Sequence, residues 1–347
     1  MNKGALDRDE GAVSLECSLE KFVSARLGEA LQIRSLHRLT GGSSHETWSF
    51  DVVRESAPSK PVGYVLRREF ERSSNTRSLD TEFALLRRLF DRGLPVARPL
   101  WCALNDPAFG APAMIMERVA GVDLRKYLSG KGETVERRAL GLVLVEQQVA
   151  IHRIALDDLS DVLPASCAAS ALTELKPWTE IIEAAAAGNC QPLLSAAVLW
   201  LQVNAPTPTR ATLVHGDFKT NNLILADDGR ATVLDWEMAH VGDPVEDLAW
   251  TLLWTTGDDL VGGLLSRDEY LYAYTAASKV PVDAPRLFYW EMFARVKLAA
   301  IFLSGAHPVS ERQPVRPLHA LLGRALPVLE RDLAWMLRRC FGDGGQP

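Results

Sequence analysis

The residues best suited to chemistry lie in one stretch, Leu213 to Glu237, which reads LVHGDFKTNNLILADDGRATVLDWE. Its polar part, His215-Gly-Asp217-Phe-Lys-Thr-Asn-Asn222, falls between an apolar strand, Thr212 to Val214, and a hairpin made of Asn222 to Ala226 and Ala231 to Leu234. Asp227-Asp-Gly-Arg230 is a tight-turn signal joining the hairpin's arms. A loop held by strands at both ends has the rigidity that catalytic geometry requires. An Asp on such a loop, followed five positions later by an Asn, suits phosphoryl transfer. The carboxylate accepts or orients the proton of an acceptor hydroxyl, and the amide oxygen ligates a magnesium ion. Asp235 follows the hairpin's second arm, which is expected to return it beside Asn222, and Glu237 is a further oxygen or water contact. A lone loop Asp is usually a cap or turn residue, but Asp217, Asn222 and Asp235 in this order around a hairpin are not accounted for in that way.

Two textures of sequence surround this stretch. Ile33 to Leu39, Trp48 to Val53 and Val62 to Arg67 are short runs rich in β-branched and aromatic residues, separated by the turn-formers TGGSSHET and ESAPSKP. Ser78 to Arg92 reads as an amphipathic helix with Phe83, Leu86 and Phe90 on one face, Asp80 and Glu82 in its first turn and Gly93 closing it. Leu100 to Leu104 and Ala113 to Met116 complete a sheet of about five strands. From Gly121 onward helical spacing dominates, over Asp123 to Leu128, Glu133 to Ile154, Ala171 to Ala187, Leu193 to Val203 and most of 245–340, with a capping box at Ser266-Arg-Asp-Glu269. The predicted fold class is therefore α+β, with a small five-stranded N-terminal lobe carrying one main helix and a larger, mostly helical C-terminal lobe. The expected divisions are a flexible leader over 1–18 with a short helix from Leu19 to Leu27, a lobe over 19–118 and a lobe over 119–347.

A length of 347 residues accommodates two such lobes, and 47% hydrophobic with 24% charged residues is ordinary globular composition. The net charge of −6 offers no general attraction to phosphate backbones, so no nucleic-acid partner is expected. Cys17, Cys102, Cys167, Cys190 and Cys340 are scattered without a CxxC pair, which suits a reducing compartment. The N-terminus lacks the apolar segment of a signal peptide, and no apolar run is long enough for a bilayer. A soluble cytoplasmic protein without a membrane partner is the expectation.

The order HGDxxxxN, hairpin, DWE, then Gly242-Asp-Pro-x-x-Asp247-Leu-Ala resembles the aminoglycoside phosphotransferase and choline kinase superfamily, whose bilobal fold is shared with protein kinases. The resemblance is specific over 212–250 and weaker from about 36 to 125. It implies a catalytic role for Asp217, magnesium ligation by Asn222 and Asp235, and a bracing role for His215. Asp243 and Asp247 then read as packing and capping residues, and His240 has no assigned role. The same resemblance implies that Thr40, Gly41, Gly42, Ser43 and Ser44 form the loop covering the nucleotide phosphates, where small residues let backbone amides approach. The third strand should carry a Lys paired with a Glu on the next helix. Here Gly63-Tyr-Val-Leu-Arg67 places Arg67 there, with Glu82 as the helix partner. Met114-Ile-Met-Glu117-Arg-Val119 matches the hinge whose backbone at Glu117 and Val119 reads the adenine edge, a pattern that an edge strand at a lobe boundary would also give. The VLR strand and the DWE ending are similar to the kinase-like domains associated with acyl-CoA dehydrogenases.

The resulting expectation is an ATP-dependent, magnesium-dependent small-molecule kinase acting on a hydroxyl, with a hydroxyacyl-CoA or another metabolite as acceptor. Three other readings stand beside it. An aminoglycoside phosphotransferase would need an acidic pocket, for which only Asp258, Asp259 and Asp283 are candidates. A nucleotide-binding pseudokinase is suggested by Arg67 in place of Lys, and a metal-dependent phosphohydrolase would use His215, Asp217, Asp235 and His240. Trp250, Trp254, Tyr270, Tyr272, Tyr274, Trp290 and Phe293 read as core at helical spacing.

Overall fold

The computed structural model describes residues 3–39, 45–69, 78–130, 134–163, 170–186, 191–207, 210–256, 259–310 and 323–341. The chain divides into two compact units, the first made of Met1–Val122 with Ile224–Met238, the second of Asp123–Leu223 with Ala239–Pro347. The hairpin and the DWE segment thus group with the N-terminal part of the chain, whereas the expected lobes were continuous in sequence.

The first unit is built on a five-stranded antiparallel sheet in the order β1-β2-β3-β5-β4, with β1 Leu31–Arg38, β2 His45–Arg54, β3 Ala57–Glu69, β4 Pro99–Ala103 and β5 Ala113–Glu117. Strand alternation sets its faces: in β1, Leu31 and Ile33 are buried while Gln32 and Arg34 are exposed. The β2–β3 register pairs Phe50 with Tyr64, whose rings meet edge-on at 5.9 Å. Helix α1, Lys3–Leu27, packs Leu15, Leu19, Phe22 and Val23 onto the core formed by Phe50, Leu66 and Ile115. Each such buried side chain contributes about 1.5–3 kcal/mol of hydrophobic stabilisation. Where a leader over 1–18 and a helix from Leu19 were expected, the structure has one helix from Lys3, and the 15-19-22-23 spacing is the stripe that docks it.

The third strand also begins earlier than the prolines suggested. Pro58 and Pro61 lie inside β3, because β5 pairs only with Tyr64 to Arg68, so the proline-bearing end lacks that neighbour and its missing N–H groups cost no ladder bonds there. Helix α2, Leu79–Asp91, turns a different face inward from the one expected. Leu79, Glu82, Leu85, Leu86 and Leu89 are buried, while Phe90 is exposed. That rotation carries Glu82 into the interior.

At the boundary of the units lies the two-residue strand β6, Val122–Asp123. The hairpin consists of β8, Leu223–Leu225, and β9, Ala231–Val233. A parallel bridge from Val233 to Val96 and a 2.8 Å bond from Val233 N–H to the Pro95 carbonyl tie it to the first unit.

The second unit is mostly helical: α3 Leu124–Gly130, α4 Thr134–His152, α5 Ala171–Ala186, α6 Pro192–Val203, α7 Pro244–Leu252, α8 Arg267–Ser278, α9 Ala284–Ser310 and α10 Leu326–Phe341. Ser266 and Glu269 form the expected capping box of α8. The strand β7, Thr212–Val214, pairs antiparallel with β10, His240–Gly242, and β11, Leu260–Val261, pairs with β12, Leu265–Ser266. Every residue of α7 is buried, its polar members Glu246, Asp247 and Thr251 included, and each of these has a hydrogen-bond partner. Among the described residues, no helix is long and apolar enough to cross a membrane.

Candidate active site

Val214 ends β7, and the next three residues turn sharply into the loop that carries Asp217. Gly216 makes that turn at φ +79, a left-handed conformation that glycine enters without steric cost. The Asp217 carboxylate is held at both oxygens. Lys219 Nζ donates to Oδ1 at 2.7 Å and to Oδ2 at 2.8 Å, Asn222 Nδ2 donates to Oδ2 at 2.7 Å, and Trp250 Nε1 donates to Oδ1 at 2.9 Å. Asn222 Nδ2 also donates to the Asp217 carbonyl at 2.9 Å, so these two residues meet across the loop. The Asp217 side chain keeps 12% of its surface exposed, which leaves access from one side.

The loop's backbone is anchored by Asp247, which is fully buried. Its Oδ2 accepts the His215 N–H and its Oδ1 accepts the Gly216 N–H, each at 2.8 Å. His152 Nε2 lies 3.1 Å from Oδ2, and His152 Nδ1 lies 2.7 Å from the Tyr274 hydroxyl. Burial alone would raise the Asp247 carboxyl; the bond and charge of His152, with those of His215, overcome this and hold it at about 2. Asp247 is thus a buried anion that satisfies two loop amides, a larger role than packing. Asp243 caps α7 through the Val245 N–H and accepts from Arg286 Nε at 2.7 Å and Trp290 Nε1 at 2.9 Å. His215 braces the loop as expected, its Nδ1 accepting the Asp217 N–H at 3.2 Å.

His240, to which the sequence assigned no role, lies in a buried charge cluster. Its Nε2 is 3.1 Å from Glu246 Oε2 and 3.4 Å from Glu174 Oε2. Burial disfavours the imidazolium, but Glu246 and then Glu174 outweigh it and raise the group to about 9. Lys297 completes the cluster at 3.5 Å from Glu246 Oε1.

In the first unit, Arg67 stands at the centre of a second constellation. Nη1 donates to Glu82 Oε1 at 2.6 Å, while Nη2 reaches Asp235 Oδ1 at 3.1 Å and Glu237 Oε2 at 3.2 Å. His45 Nδ1 lies 2.9 Å from Nη2 and 3.0 Å from Glu237 Oε2. The expected Arg67–Glu82 pair is therefore formed, and Arg67 also holds the two acids of the DWE segment. Trp236 points away between them, 1% exposed, with its Nε1 donating to the Val233 carbonyl at 3.1 Å. Burial opposes the Arg67 charge, but Glu82, Asp235 and Glu237 together raise its affinity for the proton. Burial lifts the Glu82 carboxyl while Arg67 opposes the lift and Glu237 adds to it. The two directions are consistent, because one cation shared among three carboxylates compensates each only in part.

Asp235 adopts φ +66, an uncommon conformation for a residue with a side chain and one that clusters at functional positions. Its side chain is 38% exposed despite the Arg67 contact. With its Nδ2 engaged by Asp217, the oxygen that Asn222 has left to offer is a hard amide acceptor. Among the described residues no group of three or more His, Cys, Asp or Glu forms a metal cage. Magnesium bound with nucleotide phosphates needs only one or two protein oxygens, and the Asn222 amide oxygen and the Asp235 carboxylate are each, taken singly, of the hard-oxygen kind that ion takes. The expected phosphate-covering residues Thr40, Gly41, Gly42, Ser43 and Ser44 lie outside the described residues. Glu117 ends β5 with its N–H bonded to the Arg98 carbonyl at 2.9 Å and its side chain 3.2 Å from Arg98, and Val119 follows two residues later.

Three residues were missed in the sequence. Lys219 was in plain view between Asp217 and Asn222, and its Nζ also lies 5.2 Å over the Trp254 ring. Trp250 was read as core, although it sits three residues after Asp247, on the helix face that meets the loop. Lys297, 2% exposed on α9, donates to the Gly216 carbonyl at 2.7 Å, and nothing in its local sequence marks it.

Comparison with known proteins supplies a context for this geometry. The sequence profile of the phosphotransferase enzyme family matches residues 35–288, well over half of the chain. Among curated proteins, acyl-CoA dehydrogenase family member 11 of Rattus norvegicus is 30% identical over 221 residues, which cover 60% of this chain and 28% of that protein. The chain spans about 30% or less of the length of such relatives. Among solved structures, a Ralstonia eutropha JMP134 protein provisionally described as an aminoglycoside phosphotransferase superimposes with a TM-score of 0.73 at 19% identity, covering 92% of this chain and 98% of that one. A thermostable mutant of the aminoglycoside phosphotransferase APH(4)-Ia, solved with ADP and hygromycin B, gives a TM-score of 0.62 at 18% identity, covering 94% and 99%. At these identities the structures establish the fold.

Proposed function

Because the chain belongs to the phosphotransferase enzyme family, we propose that it transfers the γ-phosphoryl group of ATP to a hydroxyl of a small molecule, with Asp217 as the residue that receives or orients the acceptor's proton. The observation that carries this reading is the Asp217 carboxylate. It is pinned at both oxygens by Lys219, Asn222 and Trp250 on a loop whose amides are tied to Asp247. A carboxylate so oriented is set up to bond an incoming hydroxyl before any chemistry occurs.

In the reaction, the acceptor oxygen forms a bond to the γ-phosphorus as the bond to the bridging oxygen of ADP breaks. The acceptor's proton passes to Asp217. Lys219, 21% exposed at the side chain and bonded to Asp217, is a cation available to the charge that develops on the transferred group. Asn222 and Asp235 would hold magnesium, which when bound neutralises phosphate charge. Arg67, braced by Glu82, would exchange its contacts with Asp235 and Glu237 for nucleotide phosphate, to which a guanidinium bonds in bidentate fashion. Thr40 to Ser44 and the backbone at Glu117 and Val119 would cover the phosphates and read the base.

The acceptor we favour is a hydroxylated metabolite, a hydroxyacyl-CoA included. The reading draws support from the similarity to acyl-CoA dehydrogenase family members 10 and 11. The similarity to APH(4)-Ia, whose complex holds hygromycin B, keeps an aminoglycoside among the acceptors to be tested.

The test is ATP-dependent phosphorylation across hydroxyacyl-CoAs, other hydroxylated metabolites and aminoglycosides, with Asp217→Ala alongside. Transfer to one acceptor class, reduced roughly 100-fold or more in Asp217→Ala at unchanged melting temperature, is the expected result. Full transfer by Asp217→Ala would remove that residue from the chemistry. A second reading, nucleotide binding without transfer, draws on the engagement of Arg67 by three carboxylates. It would show as an ATP-dependent rise in melting temperature with no acceptor phosphorylated.

A further inference from the structure

Asp217 has three side-chain partners of very different mobility. Lys219 is a long side chain, partly exposed, and its ammonium can rotate while still meeting the carboxylate. Asn222 and Trp250 are buried and fixed, one bonded to each carboxylate oxygen. Two rigid donors on opposite oxygens define the plane of the carboxylate, and removing either leaves that plane to one rigid donor and the lysine ammonium.

Trp250 is itself held with care. It is 2% exposed, its ring meets Trp254 edge-on at 5.9 Å, and Lys297 Nζ stands 4.8 Å over its centroid. The same Nζ donates to the Gly216 carbonyl at 2.7 Å and lies 5.4 Å over Trp178. A buried lysine is expensive to desolvate, and a site built only for packing would be better served by an apolar side chain. Here Lys297 is within reach of one carboxylate, Glu246, which also serves His240. A cation over the indole face draws electron density from the ring and strengthens the N–H as a donor toward an anion.

We infer that Trp250 and Lys297 are positioning residues for Asp217. Trp250 fixes the carboxylate plane through its indole N–H. Lys297 fixes Trp250 through the ring and the preceding residue of the loop through the Gly216 carbonyl. This inference rests on the proposed role of Asp217, and nothing in the family resemblance called for a tryptophan or a lysine at these places.

The contact can be read without any activity. In wild-type protein with ¹⁵N-labelled tryptophan, the indole resonance that disappears in Trp250→Phe is assigned to Trp250. Neutralising its acceptor by Asp217→Asn should move that resonance, and Lys297→Met should move it as well. In turnover with the acceptor found for the wild type, Trp250→Phe keeps the ring and the packing but removes the donor. It should lower kcat about 10- to 100-fold, as expected for one hydrogen bond to a charged group, with the KM for ATP and the melting temperature nearly unchanged. A resonance that ignores Asp217→Asn overturns the proposal, and so does a full kcat in Trp250→Phe. If Lys297→Met fails to fold, the Trp250→Phe arm and the wild-type spectrum still decide. A wild-type protein that phosphorylates nothing counts against the kinase reading, whereas the response to Asp217→Asn reports on the contact itself.

Discussion

Replacing Asp247 with Asn changes one buried carboxylate to an amide of the same shape, and the structure sets the cost. Both Asp247 oxygens accept backbone N–H bonds, Oδ1 from Gly216 and Oδ2 from His215. Either orientation of an Asn at this position therefore turns its amide NH₂ against a backbone N–H. One loop donor is left buried and unpaired, a cost of about 1–3 kcal/mol, and the charge-assisted bonds to the other groups weaken by a similar amount. The sum is about 2–6 kcal/mol, which for 347 residues with an unfolding entropy of about 2 cal/mol/K per residue corresponds to a fall of roughly 3–8 °C in melting temperature. The pH dependence makes the test specific. The folded-state value of Asp247, about 2, lies below its ordinary value of 3.8, so its contribution is fully present above about pH 4 and is lost as pH falls through 2. That linkage is worth about 2 kcal/mol in all, of which about 1 kcal/mol is gone by pH 3. Calorimetric unfolding of wild type and Asp247→Asn between pH 3 and 7 should show the difference in stability narrowing toward acid. A difference under about 1 kcal/mol at pH 7, or one that is the same at pH 3 and pH 7, would refute the picture of an ionised Asp247 anchoring the loop.

Arg67→Met should destabilise the protein by about 3–5 kcal/mol, since it leaves Glu82 and Glu237 buried without their cation. Acid should relieve the defect as Glu82, whose carboxyl burial already pushes up, takes a proton, so chemical denaturation at pH 5 should show a smaller loss than at pH 8. His240 behaves in the opposite sense to Asp247. Its value is raised from 6.5 to about 9, so its stabilisation is complete below pH 6.5 and is lost as pH rises through 9. Wild type should lose about 3 kcal/mol across that window, and His240→Gln should show a flatter alkaline limb in urea unfolding. Gly121→Ala should cost at least about 2 kcal/mol, because Gly121 sits at φ +135 and an added Cβ would lie 2.3 Å from the Leu225 carbonyl oxygen. An unchanged melting temperature in that variant would contradict the close passage of the chain beside the hairpin.

Much of the site was legible because its members are close in sequence. Asp217 and Asn222 are five residues apart on one loop, and their bond follows from that spacing once strands clamp the ends. The hairpin itself followed from the turn chemistry of Asp227-Asp-Gly-Arg230, and the residue after it, Asp235, meets Arg67. The Arg67–Glu82 pair was expected from the family resemblance, although the face of α2 was misjudged: Phe83 and Phe90 suggested a stripe one step around from the buried one. Large aromatic residues outweighed the leucines in that reading, and an exposed Phe90 against Arg98 shows that a ring need not be buried to be satisfied. The early start of α1 was not legible for a related reason. Its charged, small-residue composition gave no stripe before Leu15, so only the docking of Leu15, Leu19, Phe22 and Val23 shows where the helix belongs.

What the sequence by itself determined is the course of the loop between its strands and the sheet-then-helix order, because both depend on contacts within a few residues or on periodicity. Tertiary structure decided which side chains hold the loop. Asp247 reaches it from 31 and 32 residues away, Trp250 from 33 and Lys297 from 81, all from helices whose buried faces give one undifferentiated apolar signal. Periodicity states that such a face is inside; it does not state which polar atom on it will meet an anion. That is fixed only when α7 and α9 pack together and every buried donor and acceptor must find a partner.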